Sequence, residues 1–137
     1  MANIEQRHQP PGQTSDSPQR PAQRLSGMAL RFDLQEELDR LRREESWLRG
    51  DRNAKTLVKE PHLHVTLAIL KSGARLDEHE TEGPLTIHTL EGRVTVSALG
   101  ERIDLSRGQI AALDAGVPHW VEATEEAAFL LTIGWPR

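Results

Sequence analysis

Two histidines stand at the ends of two glycine-led segments, where their side chains could act together. The first segment runs from Gly73 to His79 and the second from Gly108 to His119. Short alternating strands separate the segments, and closing those strands into one small β-barrel would bring the two imidazoles into the same interior. Imidazoles bind transition metals and exchange protons near neutral pH. The pattern therefore predicts a site at His79 and His119.

A second histidine pair, His62 and His64, lies at the start of an apolar stretch that ends at Leu70. Residues two apart on a strand face the same way, so these imidazoles could hold one ion. The alternate positions of the stretch carry the larger apolar side chains, which are Leu63, Val65, Leu67 and Ile69. Because those side chains would claim the core, we expect both histidines to point away from it, on a strand surface or in a dimer contact.

The elements that position these residues fall into three parts. Residues 1–27 are rich in Gln, Pro, Ser and Arg and contain no aromatic residue, which predicts a disordered tail. Residues 28–50 have a helical period, and residues 54–137 form short strands separated by glycine turns. We therefore expect an all-β barrel preceded by one amphipathic N-terminal helix.

The predicted helix has clear start and stop signals. Asp33 is placed as its N-cap, with Glu36 three residues later, and Gly50 is placed to end it. Four leucines are spaced to share one stripe, and these are Leu34, Leu38, Leu41 and Leu48. Such a stripe must dock, either on the barrel of its own chain or on a neighbouring subunit.

The strands are recognised by alternation and by turns. The segments Leu85–Glu91, Arg93–Leu99 and Ile110–Leu113 alternate or form short apolar runs between turn residues. The segment Ala127–Ile133 is almost continuously apolar, which predicts a strand covered on both faces.

Composition limits the partners and the compartment. The net charge of −4 provides no basic face for nucleic acid, and no stretch is long enough to cross a bilayer. The first residues show no apolar run of the kind found in signal peptides, and the chain has no cysteine. We expect a cytoplasmic protein without a nucleic-acid or membrane partner.

The first glycine-led segment resembles the first motif of the cupin family. That motif is a Gly, five residues, His-x-His, three or four residues, a Glu, six residues and a Gly. Gly73, His79 and Gly92 fall on these positions. Thr81 stands at the second histidine position, and Leu85 or the threonine after it stands at the glutamate position.

The second segment is similar to the second cupin motif, a Gly, five residues, Pro-x-Gly, two residues and a His. Gly108, Gly116 and His119 match, and Asp114 replaces the proline. The resemblance covers about residues 54–137 and implies a small single-domain cupin, a jelly-roll barrel also called a double-stranded β-helix. The first metal motif is degenerate, because two of the four usual ligands are replaced.

A metal-bearing cupin would hold iron, manganese, nickel, zinc or copper through imidazoles, with an open position for water, oxygen or substrate. The resemblance therefore implies a divalent transition metal at His79 and His119, and His88 is the candidate for a third ligand. Strand parity places His88 on the face opposite to Leu85 and Ile87, so this role would require a shifted register.

The sequence leaves three functional classes open. The chain could be a cupin enzyme, such as a dioxygenase, isomerase or decarboxylase, with a metal in the barrel. It could instead be a metal-free module that binds or senses a small molecule around Leu85, Ile87 and Thr89, with His79 and His119 as hydrogen-bonding or acid and base groups. The third class is a homodimeric assembly domain.

Overall fold

The computed structural model describes residues 24, 25 and 27–135. Almost all of the predicted tail of residues 1–27 lies outside these residues, and the predicted division of the chain at residues 27 and 54 stays a prediction. Within the described part the chain forms two short helices, α1 (Leu34–Leu41) and α2 (Glu45–Arg49), followed by nine strands. The strands are β1 (Arg52–Glu60), β2 (Leu63–Leu70), β3 (Arg75–His79), β4 (Leu85–Glu91), β5 (Arg93–Ala98), β6 (Glu101–Ser106), β7 (Ile110–Leu113), β8 (His119–Ala123) and β9 (Ala127–Gly134).

The strands form two antiparallel sheets. One sheet has the order β1-β2-β9-β4-β7 and the other has the order β3-β8-β5-β6. Strands distant in sequence are therefore neighbours in space, as β2 and β9 are in the first sheet and β3 and β8 in the second. The predicted all-β barrel is confirmed.

Two apolar clusters hold the fold together. The inner core lies between the sheets and includes Leu70, Ile87, Val96 and Phe129, all at most 1% exposed. The outer core lies between the helices and the outer face of the first sheet, and its members are Leu38, Leu41, Trp47, Leu57, Leu67, Ile69 and Ala128. The first sheet is therefore covered on both faces over part of its width, as predicted for Ala127–Ile133.

The predicted helical segment docks on the barrel of its own chain. Asp33 caps α1, because its carboxylate accepts a hydrogen bond of 3.1 Å from the backbone N–H of Glu36. Each buried leucine of α1 contributes about 1.5–3 kcal/mol through the apolar surface that it removes from water. No helix among the described residues has the length and apolar character needed to cross a bilayer.

The phase of the second helix differs from the sequence prediction. The chain turns at residues 42–44, so α2 does not continue the stripe of α1. Leu48, which was expected to be buried, is 63% exposed, and Trp47 takes its place in the outer core at 7% exposed. A continuous helix would have aligned Leu48 with Leu41, but the turn rotates α2 and brings the neighbouring indole inward.

Strand connections define one end of the barrel that we call the histidine end. A short loop joins the last residue of β2 to the first residue of β3 at the far end of the barrel. The first residues of β2 and the last residues of β3 therefore lie together at the histidine end. There His64 pairs with Ile133, which pairs with Leu85. His79 pairs with His119 in the second sheet. Both rows of residues belong to the histidine end.

Candidate functional site

The predicted pair of imidazoles is brought together at the histidine end. His79 is the last residue of β3 and His119 the first of β8, and antiparallel pairing places them side by side. Their ring centroids are 4.6 Å apart with planes inclined by 53°. Two positions far apart in the sequence thus form one site because β3 and β8 are neighbours.

Backbone carbonyls fix the orientation of both rings. The Nδ1 atom of His79 lies 3.2 Å from the carbonyl oxygen of Asp77, and that of His119 lies 3.0 Å from the carbonyl oxygen of Val117. A carbonyl oxygen can only accept, so Nδ1 of each ring donates. In a neutral imidazole the proton-free nitrogen is then Nε2, the atom that can coordinate a metal or accept a proton.

The two imidazoles differ in their contact with solvent. His119 is 2% exposed, whereas His79 is half-buried. Burial lowers the pKa of His119 because it disfavours the charged ring, and this effect outweighs the opposing hydrogen bond to Val117 and the negative charge of Glu78. His119 is therefore neutral at pH 7 and keeps the lone pair that a ligand or a base requires.

His88 is not brought to this pair. It lies on β4 between Ile87 and Thr89, whose side chains are buried in the barrel, so its own side chain occupies the opposite face of the sheet. Its pairing partners are Ile110 and Leu130. Among the described residues no three His, Cys, Asp or Glu side chains form a group that could hold a metal. The structure thus gives His88 no place as the third ligand, because the register of β4 carries no shift at that point.

Thr81 occupies the position of the second motif histidine. It is 3% exposed, and its hydroxyl donates a hydrogen bond of 2.7 Å to the carbonyl oxygen of Gly83. Thr81 therefore supplies a neutral hydroxyl, already hydrogen-bonded to the backbone, at the position where the motif has an imidazole. The carboxylates that flank His79 in sequence, Glu78 and Glu80, are exposed.

His64 was missed as a residue of the barrel interior. It is 3% exposed, and its ring meets that of Trp135 with centroids 4.9 Å apart and an interplanar angle of 66°. The expectation that His62 and His64 both point away from the core is wrong. His62 is exposed in the turn before β2, and His64 faces inward because the helices cover the other face of the strand. Alternation of polar and apolar residues does not distinguish these two orientations of the strand.

These features define a class of protein, an antiparallel two-sheet barrel with a histidine pair at one end. The sequence profile of the Cupin domain matches residues 66–134, which is 69 of the 137 residues. The chain belongs to the cupin family. No curated protein matches the sequence.

Solved structures share the fold. A conserved Streptococcus pyogenes protein of unknown function is 26% identical, with a TM-score of 0.67, over 80% of this chain and 90% of that one. A cupin 2 conserved barrel domain protein from Leptotrichia buccalis is 31% identical, with a TM-score of 0.61, over 64% of this chain and 42% of that one.

Salicylate 1,2-dioxygenase from Pseudoaminobacter salicylatoxidans, solved as adducts with gentisate, is 19% identical with a TM-score of 0.65. The match covers 72% of this chain and 31% of the dioxygenase. At this identity the similarity shows the fold alone.

Proposed function

We propose that this chain is a small cupin-domain protein that binds a divalent transition metal and a small molecule at His79 and His119. The single observation that carries the proposal is the geometry of the pair. Two imidazoles stand side by side, and each Nδ1 is turned to a backbone carbonyl so that Nε2 can coordinate. The ions that suit such nitrogen ligands are iron, manganese, nickel, zinc and copper.

The donor set fits a metal only in part. Two imidazoles supply two ligands, and the described residues offer no group of three His, Cys, Asp or Glu side chains. The other coordination positions would belong to water or to the small molecule. We therefore expect weak, exchangeable binding rather than the tight binding of a closed structural site.

Each residue of the pair has a distinct part in this proposal. A bound metal would act as a Lewis acid toward an oxygen of the small molecule. His119, at 2% exposed, provides a neutral ligand shielded from water. His79 provides the ligand on the solvent side.

Metal titration of tag-free protein tests this proposal. Calorimetry with Mn²⁺, Ni²⁺, Zn²⁺ and Cu²⁺, and anaerobically with Fe²⁺, should give one site that is lost in His79→Ala and in His119→Ala. His88→Ala is the matched control, because His88 lies on the other face of its sheet. Unchanged binding in both site variants, or equal loss in the control, would refute the metal site.

A metal-free binding or sensing module is the second candidate. It is favoured by the absence of a third His, Cys, Asp or Glu beside the pair in the described part of the chain. The neutral ring of His119 would then serve as a hydrogen-bonding or basic group toward the small molecule. Thermal stabilisation by small acids and aromatics with EDTA present supports this function, and stabilisation that requires added metal supports the first.

We extend the proposal to a homodimer in the cytoplasm, without a nucleic-acid or membrane partner. A shallow groove of about 230 Å³ on the first sheet is lined by uncharged residues, which are Leu63, Pro84, Leu85, Thr86, Ala112, Leu113, Thr132 and Gly134. Ile110, on the edge strand β7, is 58% exposed. Light scattering should report a dimer for the wild-type protein and a monomer for Ile110→Glu. A monomeric wild-type protein would refute the proposed homodimer. Cell fractionation tests the compartment.

A further inference from the structure

The histidine end holds a buried hydrogen-bond donor that the pair does not use. Trp135 is 8% exposed, and its Nε1 atom has no hydrogen-bond partner among the described residues. An indole N–H can only donate, and leaving such a donor buried without an acceptor costs about 1–3 kcal/mol. Such a buried donor indicates that a ligand or a water molecule supplies the missing acceptor.

Close contacts place Trp135 at the same end as the imidazoles. Its backbone N–H donates to the carbonyl oxygen of His62 at 3.0 Å, and its ring contacts His64. On the other side it meets Gly83, whose added Cβ would lie 3.4 Å from the Cα of Trp135. Gly83 lies in the loop that follows His79, the last residue of β3. The hydroxyl of Thr81, in the same loop, donates to the carbonyl oxygen of Gly83. The backbone of Trp135 therefore adjoins the loop of residues 80–84 that follows His79.

We propose that Trp135 is a ligand contact, which donates its indole N–H to an oxygen of a small molecule held at the histidine end. The inference rests on the proposed function, because it takes His79 and His119 as the other wall of the same site. His64 is a positioning residue, since its ring packs against the indole and fixes the direction of the N–H.

The charges at this end select the class of ligand. Acidic residues outnumber basic ones among the described residues of this end. Asp77, Glu78, Glu80, Glu82 and Asp114 are exposed on β3 and on the loops that adjoin the pair, whereas Lys59, opposite His64 on β1, is half-buried. The excess of carboxylates lowers the local concentration of anions. The ligand that fits is an uncharged molecule with a carbonyl or hydroxyl oxygen.

Three probes of similar shape test this assignment in EDTA-treated, ¹⁵N-labelled full-length protein. Acetophenone carries a carbonyl acceptor, ethylbenzene lacks it, and benzoate carries a charge. We expect acetophenone to move the indole N–H signal of Trp135 downfield and ethylbenzene not to do so. The signal is assigned by its loss in Trp135→Phe.

The variants add a second measurement. Trp135→Phe keeps an aromatic ring but removes the donor, so the affinity for acetophenone should fall about 2- to 10-fold, the effect of one neutral hydrogen bond. Trp120→Phe, on the outer face of the second sheet where it stacks with Arg75, should leave that affinity unchanged. An unmoved indole signal, equal affinity in Trp135→Phe, or tighter binding of benzoate would overturn the inference.

The metal titration separates this inference from the function on which it rests. If metal binds through His79 and His119 but acetophenone leaves the indole signal unmoved, the proposed function stands and the indole contact fails. If acetophenone moves the signal but no metal binds, the indole contact stands and the metal site fails. If Trp135→Phe does not fold, the signal is assigned by elimination, because the chain has three tryptophans and the other two signals are lost in Trp47→Phe and Trp120→Phe.

Discussion

Replacing Gly83 with alanine should distort the histidine end through a single added carbon. An ideal Cβ at this position would lie 1.5 Å from the carbonyl oxygen of Gly134. An ordinary contact begins at 3.4 Å, so the two backbones would have to separate by about 1.9 Å. Gly134 cannot retreat easily, because β9 lies between β2 and β4 and its N–H donates to the carbonyl oxygen of Pro84.

The expected cost is at the upper end of the range for overpacking. We expect Gly83→Ala to lower the free energy of unfolding by about 3 kcal/mol, which for a domain of this size lowers Tm by about 10–20 °C. Residues 80–84 should move rather than β9, because that segment is the less extensively hydrogen-bonded of the two. Binding at the neighbouring pair should weaken as His79 is displaced.

Urea denaturation and thermal melting followed by circular dichroism measure the effect. Gly108→Ala is the matched control. Gly108 has φ of +85° with no atom within 4 Å of an added Cβ, so its replacement should cost only the backbone strain of about 1–2 kcal/mol. If Gly83→Ala cost no more than Gly108→Ala, or left metal and probe binding unchanged, the close packing on which the argument depends would be wrong.

Three further predictions concern the packing and the charges. Trp47→Ala should lower the free energy of unfolding, measured by urea denaturation, by about 3–5 kcal/mol because it leaves a cavity in the outer core. Leu48→Ala, at a residue 63% exposed, should change it by less than about 0.5 kcal/mol. Lys55→Met should cost about 2 kcal/mol in the same assay, because it removes the ammonium that lies 2.8 Å from the largely buried carboxylate of Glu37 and leaves that carboxylate the more distant guanidinium of Arg40 at 3.8 Å; a neutral result would refute the value of that pair. Burial lowers the pKa of His119, so the unfolded chain takes up its proton more readily than the folded one. That contribution to stability is complete above the usual histidine pKa of about 6.5, falls as the pH drops below it, and levels off below the folded pKa. Tm between about pH 7 and pH 5 should therefore fall less steeply in His119→Gln than in wild type, and equal slopes would contradict the assignment.

The sequence was sufficient for features that depend on local chemistry. Alternation and turn residues located β4, β5, β7 and β9 to within about two residues, the range expected for element boundaries. The capping chemistry of Asp33 was also readable, because an N-cap is decided within one helical turn. Motif spacing, through the cupin resemblance, brought His79 and His119 forward as one site, and β3 and β8 do pair there.

The orientation of β2 could not be read from alternation. Its large apolar residues, such as Leu67 and Ile69, face the helices, whereas His64 faces the barrel interior. Alternation identifies the buried face of a strand only when the other face meets water, and part of this sheet is covered on both sides. The choice between Trp47 and Leu48 could not be read from the helical period either, because the turn at residues 42–44 resets the phase of α2.

Glycine turns, alternating strands and motif spacing were sufficient to predict a cupin barrel with two histidines at its motif positions. The surroundings of those histidines could be read only from the fold. It placed the desolvated ring of His119 beside His79, kept His88 on the far face of β4, and brought Trp135 to the same end as the pair. Solvent exclusion and contact across sheets arise from strands that are distant in sequence, whereas spacing and alternation record only what neighbouring residues share.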